Sequence, residues 1–201
     1  MVNNARPILS TVQINRNIYF CRSMNRFSNT AISVATVTDT PAITSLLNSA
    51  YRGESSKQGW TTEAHLIAGN VRTTESSVKE VIAKPGSVLL KYSDGQQNIT
   101  GCVNLQQHGD KLYLGMLSVS PQLQGAGIGK QLLKAAEEYA MQVQCKAVYM
   151  TVISVRTELI NWYERYGYKD TGERKPFAED GESGSHLQPL EFMVMEKVIM
   201  P

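Results

Sequence analysis

Seven residues, Gln124-Gly-Ala-Gly-Ile-Gly-Lys130, lie between an apolar stretch, Lys111 to Val119, and a helical stripe of Ile128, Leu132, Ala136, Ala140 and Val143. Glycines at such a junction let the backbone approach a ligand closely. The first N–H groups of a helix have no partner inside it, and the helix dipole favours an anion there. The predicted ligand group is a phosphate or pyrophosphate. Two common phosphate loops do not fit. A P-loop needs G-x-x-x-x-G-K-[ST], and Lys130 is followed by Gln131. A dinucleotide loop turns straight from strand to glycine and has an acid near the end of the next strand. Here Ser120-Pro-Gln-Leu-Gln124 intervenes, and the stretch 147–153 holds no acid. A loop that merely turns the chain explains three alternate glycines poorly, because they are costly at a helix start.

The second group able to do chemistry is Trp162-Tyr-Glu-Arg-Tyr-Gly-Tyr168. A phenol near a helix end can donate a proton to a leaving group. The same spacing is compatible with a packed aromatic. Cys21, Cys102 and Cys145 have no C-x-x-C spacing, and His65, His108 and His186 are scattered. Neither set points to a disulfide framework or a metal, so no metal is expected.

Elements must hold these groups in place. Ile32 to Val37 alternates like a strand. Thr40-Pro41 is a helix start, followed by Ile43, Leu46, Leu47 and Ala50 on one face. Tyr51 to Thr62 is a loop, and a second helix is expected over Glu63 to Ala68. Ser77 and Glu80 have capping-box spacing, and Pro85-Gly86 stops the helix they begin. Strands follow at Val88 to Tyr92, Ile99 to Gln106 and Lys111 to Val119. In the last, Leu112, Leu114 and Met116 face one way, and Tyr113, Leu117 and Val119 the other. Apolar residues on both faces mark a central strand. After the glycine loop and its helix come a buried strand at Ala147 to Ile153 and a helix over Thr157 to Tyr166, ended by Gly167. Tyr168 to Glu173 and Leu190 to Val198 close the sheet. The fold class is α/β: a mixed, mostly antiparallel central sheet with helices on both faces.

Composition narrows the function classes. The 201 residues are 42% hydrophobic and 19% charged, ordinary for one folded domain. No apolar run spans a membrane, and a net charge of +2 gives no electrostatic case for nucleic acid. Residues 1–38 carry Arg6, Arg16, Arg22 and Arg26 and no acid, so that segment is +4 and the remainder −2. The expected division is an N-terminal extension, 1–30, disordered or targeting, and a folded domain, 31–201. Residues 1–29 show no apolar period and are expected to add little to the core. The expected location is cytoplasmic, or the mitochondrial matrix if 1–29 is a transit peptide. The segment could also serve as the arm of a homodimer.

The stretch Leu114-Gly-Met-Leu-Ser-Val-Ser-Pro-Gln-Leu-Gln-Gly-Ala-Gly-Ile-Gly-Lys-Gln-Leu-Leu resembles the acyl-CoA-binding core of the GNAT family of N-acetyltransferases. Gln124, Gly127 and Gly129 match its Q/R-x-x-G-x-G/A pattern, and Trp162 to Tyr168 resembles its Y-x-x-x-G-F/Y segment. The resemblance covers Ile32 to Lys197 in element order and is sharp at 112–133 and 159–168. It implies that strands 112–119 and 147–153 start parallel and splay apart. It further implies acetyl-CoA as cosubstrate, with pantetheine along Leu117, Ser118 and Val119. The pyrophosphate would lie on Gln124, Gly125, Ala126, Gly127, Ile128, Gly129 and Lys130, and Tyr163 would be the acid that meets the departing thiolate.

Two departures stand out. Many family members carry an Asn before the tyrosine-bearing helix, where this chain has Ser154-Val-Arg-Thr157. No Glu lies on 112–119. Glu54 and Glu191 are candidates for a water-mediated base, though each equally fits a solvated acid. The implied activity is acetyl transfer from acetyl-CoA to a primary amine of a small molecule or peptide. The alternative is a non-catalytic acyl-CoA-binding regulatory domain. The loops 51–63 and 175–188 hold Glu54, Glu63, Glu179, Asp180 and Glu182, and acids at a cleft mouth would favour a cationic acceptor.

Overall fold

The computed structural model describes residues 27–179 and 184–199. Residues 1–26, with their four arginines and the expected targeting role, lie outside that range, as do Asp180 and Glu182. Strand β1 (Ile32–Val34) leads to helix α1 (Thr40–Tyr51) and the single turn α2 (Gly53–Ser56). Next come β2 (Ile67–Ala68), α3 (Glu75–Ala83), β3 (Ser87–Ser93), β4 (Ile99–His108) and β5 (Lys111–Val119). Helix α4 (Ile128–Gln142), β6 (Ala147–Ile153), α5 (Thr157–Glu164), β7 (Lys169–Pro176), β8 (Ser185–His186) and β9 (Glu191–Val198) complete the chain. The main sheet has the order β1-β3-β4-β5-β6-β9-β7. Among the described residues only β5 and β6 pair in parallel; the other neighbours are antiparallel.

Two helical layers enclose the sheet. Ile128, Leu132, Leu133 and Ala136 of α4 and Ile160 of α5 pack against Leu90, Val103, Leu105, Leu112 and Val148. On the opposite face Ile43, Leu46 and Leu47 of α1 and Val78 of α3 pack against Leu89 and Cys102. Each such fully buried Leu or Ile removes enough apolar surface from water to contribute roughly 1.5–3 kcal/mol.

The parallel pairing is short. It joins Lys111 to Ala147, Leu112 to Val148 and Tyr113 to Tyr149, and then the strands separate. Met116 adopts a φ of 53°, and the register against β4 shifts between Cys102 and Asn104. This bulge inserts a residue and reverses the facing beyond it. Leu117 and Val119 therefore join Leu112 and Leu114 on the α4 side, while Met116 packs with α1. The strict alternation expected for this strand, with Met116 beside Leu114, is overturned by the bulge.

Three other expectations change. Glu63 to Ala68 forms a turn and then β2, which pairs with β8, in place of a helix. Leu66 and Ile67 are drawn onto Ile153, Phe177 and Phe192, and that tertiary burial outweighs local periodicity. Helix α3 starts earlier than Ser77, because the Thr74 side chain accepts from Ser77 N–H. Residues 27–29 already pack on the domain: Phe27 joins the α4 cluster, Ser28 donates to Glu138, and Asn29 donates to Gln131. No described helix is long and apolar enough to cross a membrane.

Candidate active site

The glycine loop begins where β5 ends. A short 3-10 turn, Pro121–Leu123, carries the chain to Gln124. Gly125 and Gly127 have φ of 90° and 83°, which L side chains rarely adopt, and Gly127 caps α4. The first helical bond runs from Gln131 N–H to Gly127 C=O. The N–H groups of Ile128, Gly129 and Lys130 therefore lie in the unpaired first turn, where the dipole favours an anion. A Cβ on Gly129 would lie 3.5 Å from the Trp162 ring and 3.7 Å from Val119. This glycine therefore sits at the narrow junction between α4, β5 and α5.

A cleft of about 540 Å³ opens over this loop. Leu117, Val119, Gln124, Gly125, Gly127, Ile128, Gly129, Lys130 and Tyr163 all line it. Two of the residues expected at the cofactor do not. Ser118 is turned the other way, and its hydroxyl donates to Met116 C=O at 3.2 Å. Ala126 is exposed and does not line the cleft. Their backbones still belong to the strand and loop that shape it.

Gln124 also has a use the sequence did not reveal. Its Oε1 accepts from Trp60 N–H at 2.8 Å, and its Nε2 donates to Thr61 Oγ1 at 2.7 Å and to Val119 C=O at 3.2 Å. The side chain ties the loop after α2 to the end of β5. Gly59 permits this, since a Cβ there would sit 2.6 Å from Gln124 Oε1. Gly59→Ala should push the amide aside, weaken acetyl-CoA binding several-fold and leave the fold intact. Calorimetric titration checks the affinity and melting checks the fold.

Beyond the parallel pairing, β5 offers backbone groups to the gap. Ser120 N–H bonds to Thr100 C=O on β4, so with period two Leu117 and Val119 present their groups away from β4. Leu117 C=O accepts from the Tyr51 hydroxyl at 2.7 Å.

Tyr163 sits at this gap. Helix α5 leaves β6 through Ser154 to Arg156 and buries Ile160 and Tyr163, three residues apart on one face. Gly167, at φ 88°, turns the chain so that Tyr168 N–H reaches Tyr163 C=O. The Tyr163 ring meets Trp162 edge-on at 5.0 Å and Tyr168 at 5.9 Å. Its hydroxyl makes no hydrogen bond among the described residues. Burial pushes the phenol well above its ordinary value of 10.0, so it is a donor and not a base. Trp162 and Tyr166 line the cleft, whereas Tyr168 is fully buried and donates to Glu137.

A second, smaller cavity of about 130 Å³ lies across the gap. Tyr51, Leu117, Leu159 and Tyr163 are walls of both. Its polar groups come from residues that sequence spacing could not assemble. Glu63 is paired with Arg52 at 2.5 Å, and lies 3.8 Å from Arg156 and 4.0 Å from Arg72. Arg52 and Arg156 are each only 2% exposed. Glu63 therefore points inward and is not an acid of the cleft mouth. Glu63→Gln would take one counter-charge from the buried Arg52 and Arg156, and breaking such a buried pair costs about 3–5 kcal/mol. A fall in Tm on the order of 10 °C is expected for a chain of this size, read by calorimetry.

The proposed bases do not reach either cavity. Glu54 is exposed and pairs with Lys57, and Glu191 lies at the exposed start of β9, 4.0 Å from Arg174. Asn161 lines the cleft from within α5 and does not stand at the start of that helix. Cys102 is buried, and burial pushes its thiol up to about 12. It lines neither cavity, so it is not placed to act as a nucleophile. Among the described residues no cluster of His, Cys, Asp or Glu could hold a metal.

Known proteins resemble this chain in sequence and in fold. Spermine/spermidine N(1)-acetyltransferase of Bacillus subtilis (strain 168) is 28% identical over 64 residues, 31% of this chain and 42% of that protein. The chain thus spans less than half the length of this curated relative. Ribosomal-protein-S18-alanine N-acetyltransferase from Escherichia coli superposes with a TM-score of 0.61 at 16% identity, over 85% of this chain and 94% of that one. Ribosomal-protein-alanine N-acetyltransferase from Brucella melitensis gives 0.62 at 18%, over 83% and 98%. At these identities the likeness is one of fold. The profile of the Acetyltransferase (GNAT) family matches residues 42–168, from within α1 to the end of the tyrosine segment. With that match over more than half its length, the chain belongs to the GNAT family of acetyltransferases.

Proposed function

We propose that the chain transfers an acetyl group from acetyl-CoA to a primary amine by direct attack in a ternary complex. One observation carries this: two cavities meet at the splay and share Tyr51, Leu117, Leu159 and Tyr163 as walls. The larger, over the glycine loop, suits a long phosphorylated ligand. The smaller suits the acceptor.

The residues fit the cosubstrate. Unpaired N–H groups at the start of α4 suit the pyrophosphate. The backbone edge of β5 at Leu117 and Val119 suits the peptide-like pantetheine arm. Acetyl-CoA supplies the activated thioester. The acceptor nitrogen forms a bond to the acetyl carbon, and the carbon–sulfur bond breaks. Tyr163 gives its phenolic proton to the departing sulfur, the proton lost by the amine passes to water, and the phenol regains a proton from water before the next turnover. Burial keeps the phenol protonated, so its O–H is present to hydrogen-bond the departing sulfur.

Direct transfer and a covalent acetyl-enzyme are separable by kinetics. Initial velocities with acetyl-CoA and amine both varied should give intersecting lines. Parallel lines, with acetylated protein isolated before amine is added, would overturn the direct route.

A further inference from the structure

The chain has two tryptophans, Trp60 and Trp162, and both line the larger cleft. They come from separate segments, the loop after α2 and helix α5. Their ring centroids lie 6.3 Å apart, with the planes tilted by 49°. Trp162 spans the interval between the glycine loop and the tyrosine. A Cβ on Gly129 would lie 3.5 Å from its ring, and the Tyr163 ring meets it at 5.0 Å.

Trp60 combines a fixed backbone with an uncovered side chain. Its N–H donates to Gln124 Oε1 at 2.8 Å, and Gln124 Nε2 donates to Thr61 Oγ1 at 2.7 Å. The glycine loop thus holds this segment in place. Yet Trp60 is 42% exposed, and Leu123, on the turn that enters the glycine loop, is 38% exposed in the same cleft. A single exposed apolar side chain needs no explanation, but two in one concave site beside a further aromatic ring mark a ligand surface. That surface is uncharged, so it suits an aliphatic group and not a phosphate. The pyrophosphate has its own place at the N–H groups of Ile128 to Lys130. What lies between the pyrophosphate and the thioester of acetyl-CoA is the pantetheine arm.

We infer that Trp60 and Trp162 clasp the pantetheine arm of acetyl-CoA, and that Trp60 is the part the ligand covers. This rests on the acetyl-transfer reading and adds a side-chain grip to the backbone edge at Leu117 and Val119. The indoles supply large apolar area with few rotatable bonds, so the arm is held at little cost in side-chain freedom.

The test reads tryptophan emission from full-length Trp162→Phe, in which Trp60 is the sole emitter. Acetyl-CoA should move that emission to shorter wavelength and saturate, because the indole leaves water for an aliphatic arm. Phosphoadenosine diphosphate, the nucleotide half of CoA, should leave it unmoved. In the otherwise native chain, Trp60→Ala should raise the acetyl-CoA Kd about tenfold by calorimetry. It should leave the Kd of the nucleotide half within a few-fold. Alanine keeps the N–H that Gln124 accepts, so the loop stays tied. Trp60→Phe should recover most of the lost affinity. Trp60 emission that stays put at saturating acetyl-CoA would overturn the clasp. So would an equal shift with the nucleotide half, a folded Trp60→Ala chain that binds acetyl-CoA like wild type, or equal weakening of both ligands. The expected shift and affinities without transfer to any amine would uphold the clasp and sink the acetyl-transfer reading. Failure of the wild type to bind acetyl-CoA would overturn both.

Discussion

Tyr163→Phe should lower kcat by about 10²–10⁴-fold, the usual cost of losing a general acid. The acetyl-CoA dissociation constant should stay within a few-fold, and the Tm should barely move. The contrast follows from the surroundings of the ring. Its packing on Trp162 and Tyr168 is kept by phenylalanine. Its hydroxyl has no hydrogen-bond partner among the described residues, so removing it strands no buried group. Tyr168→Phe is the fitting control, because that hydroxyl donates to Glu137 at 3.3 Å and lines neither cavity. It should affect stability more than turnover. The pH profile adds a check. Burial raises the Tyr163 pKa above 10.0, so its proton stays in place as pH rises to that value. Activity should climb as the amine loses its proton, with no fall caused by Tyr163 below pH 10.0. Wild-type turnover by Tyr163→Phe would assign the proton to water or another group.

Gly127→Asp should abolish the rise in Tm that acetyl-CoA gives the wild type. At a concentration of a hundred times Kd that rise corresponds to about 2.7 kcal/mol. A Cβ at Gly127 meets nothing within 4 Å, so the added side chain enters open space and the variant should fold. The backbone there has a φ of 83°, which costs a side chain on the order of 1–2 kcal/mol. The larger effect is electrostatic, because a carboxylate at the head of α4 occupies the field that would receive the pyrophosphate. Gly127→Asn separates the two, since asparagine tolerates this backbone and carries no charge. It should retain part of the shift. A folded Gly127→Asp variant with a wild-type shift would remove the loop from the binding site.

The glycine loop was legible because its signal is local: residues that are costly in a helix stand where a helix begins. The tyrosine segment was legible by resemblance, and the sheet's mixed character by the order of its elements. The bulge was not. Methionine is a poor choice for a positive φ, and nothing beside Met116 announces that the facing reverses there. The cluster of Arg52, Glu63, Arg72 and Arg156 was hidden for a different reason. Its members come from separate segments, and each charge alone suggests a solvated surface. Loop position suggests an acidic mouth for Glu63, whereas its carboxylate points inward to the buried Arg52 and Arg156. Gln124 was recognised as part of the loop, but its hold on Trp60 and Thr61 depends on a contact across the cleft. Local pattern also failed at Glu63 to Ala68, where pairing with Ser185 and His186 made a strand of an expected helix.

The central claim is that this fold turns over, and amine-dependent release of CoA from acetyl-CoA tests it most directly. With amino acids and other primary amines in turn, thiol release should match the acetylated amine found by mass, one for one. Both should fall together in Tyr163→Phe. Acetyl-CoA that binds tightly while no amine accelerates thiol release would contradict the account and leave a non-catalytic acyl-CoA-binding domain.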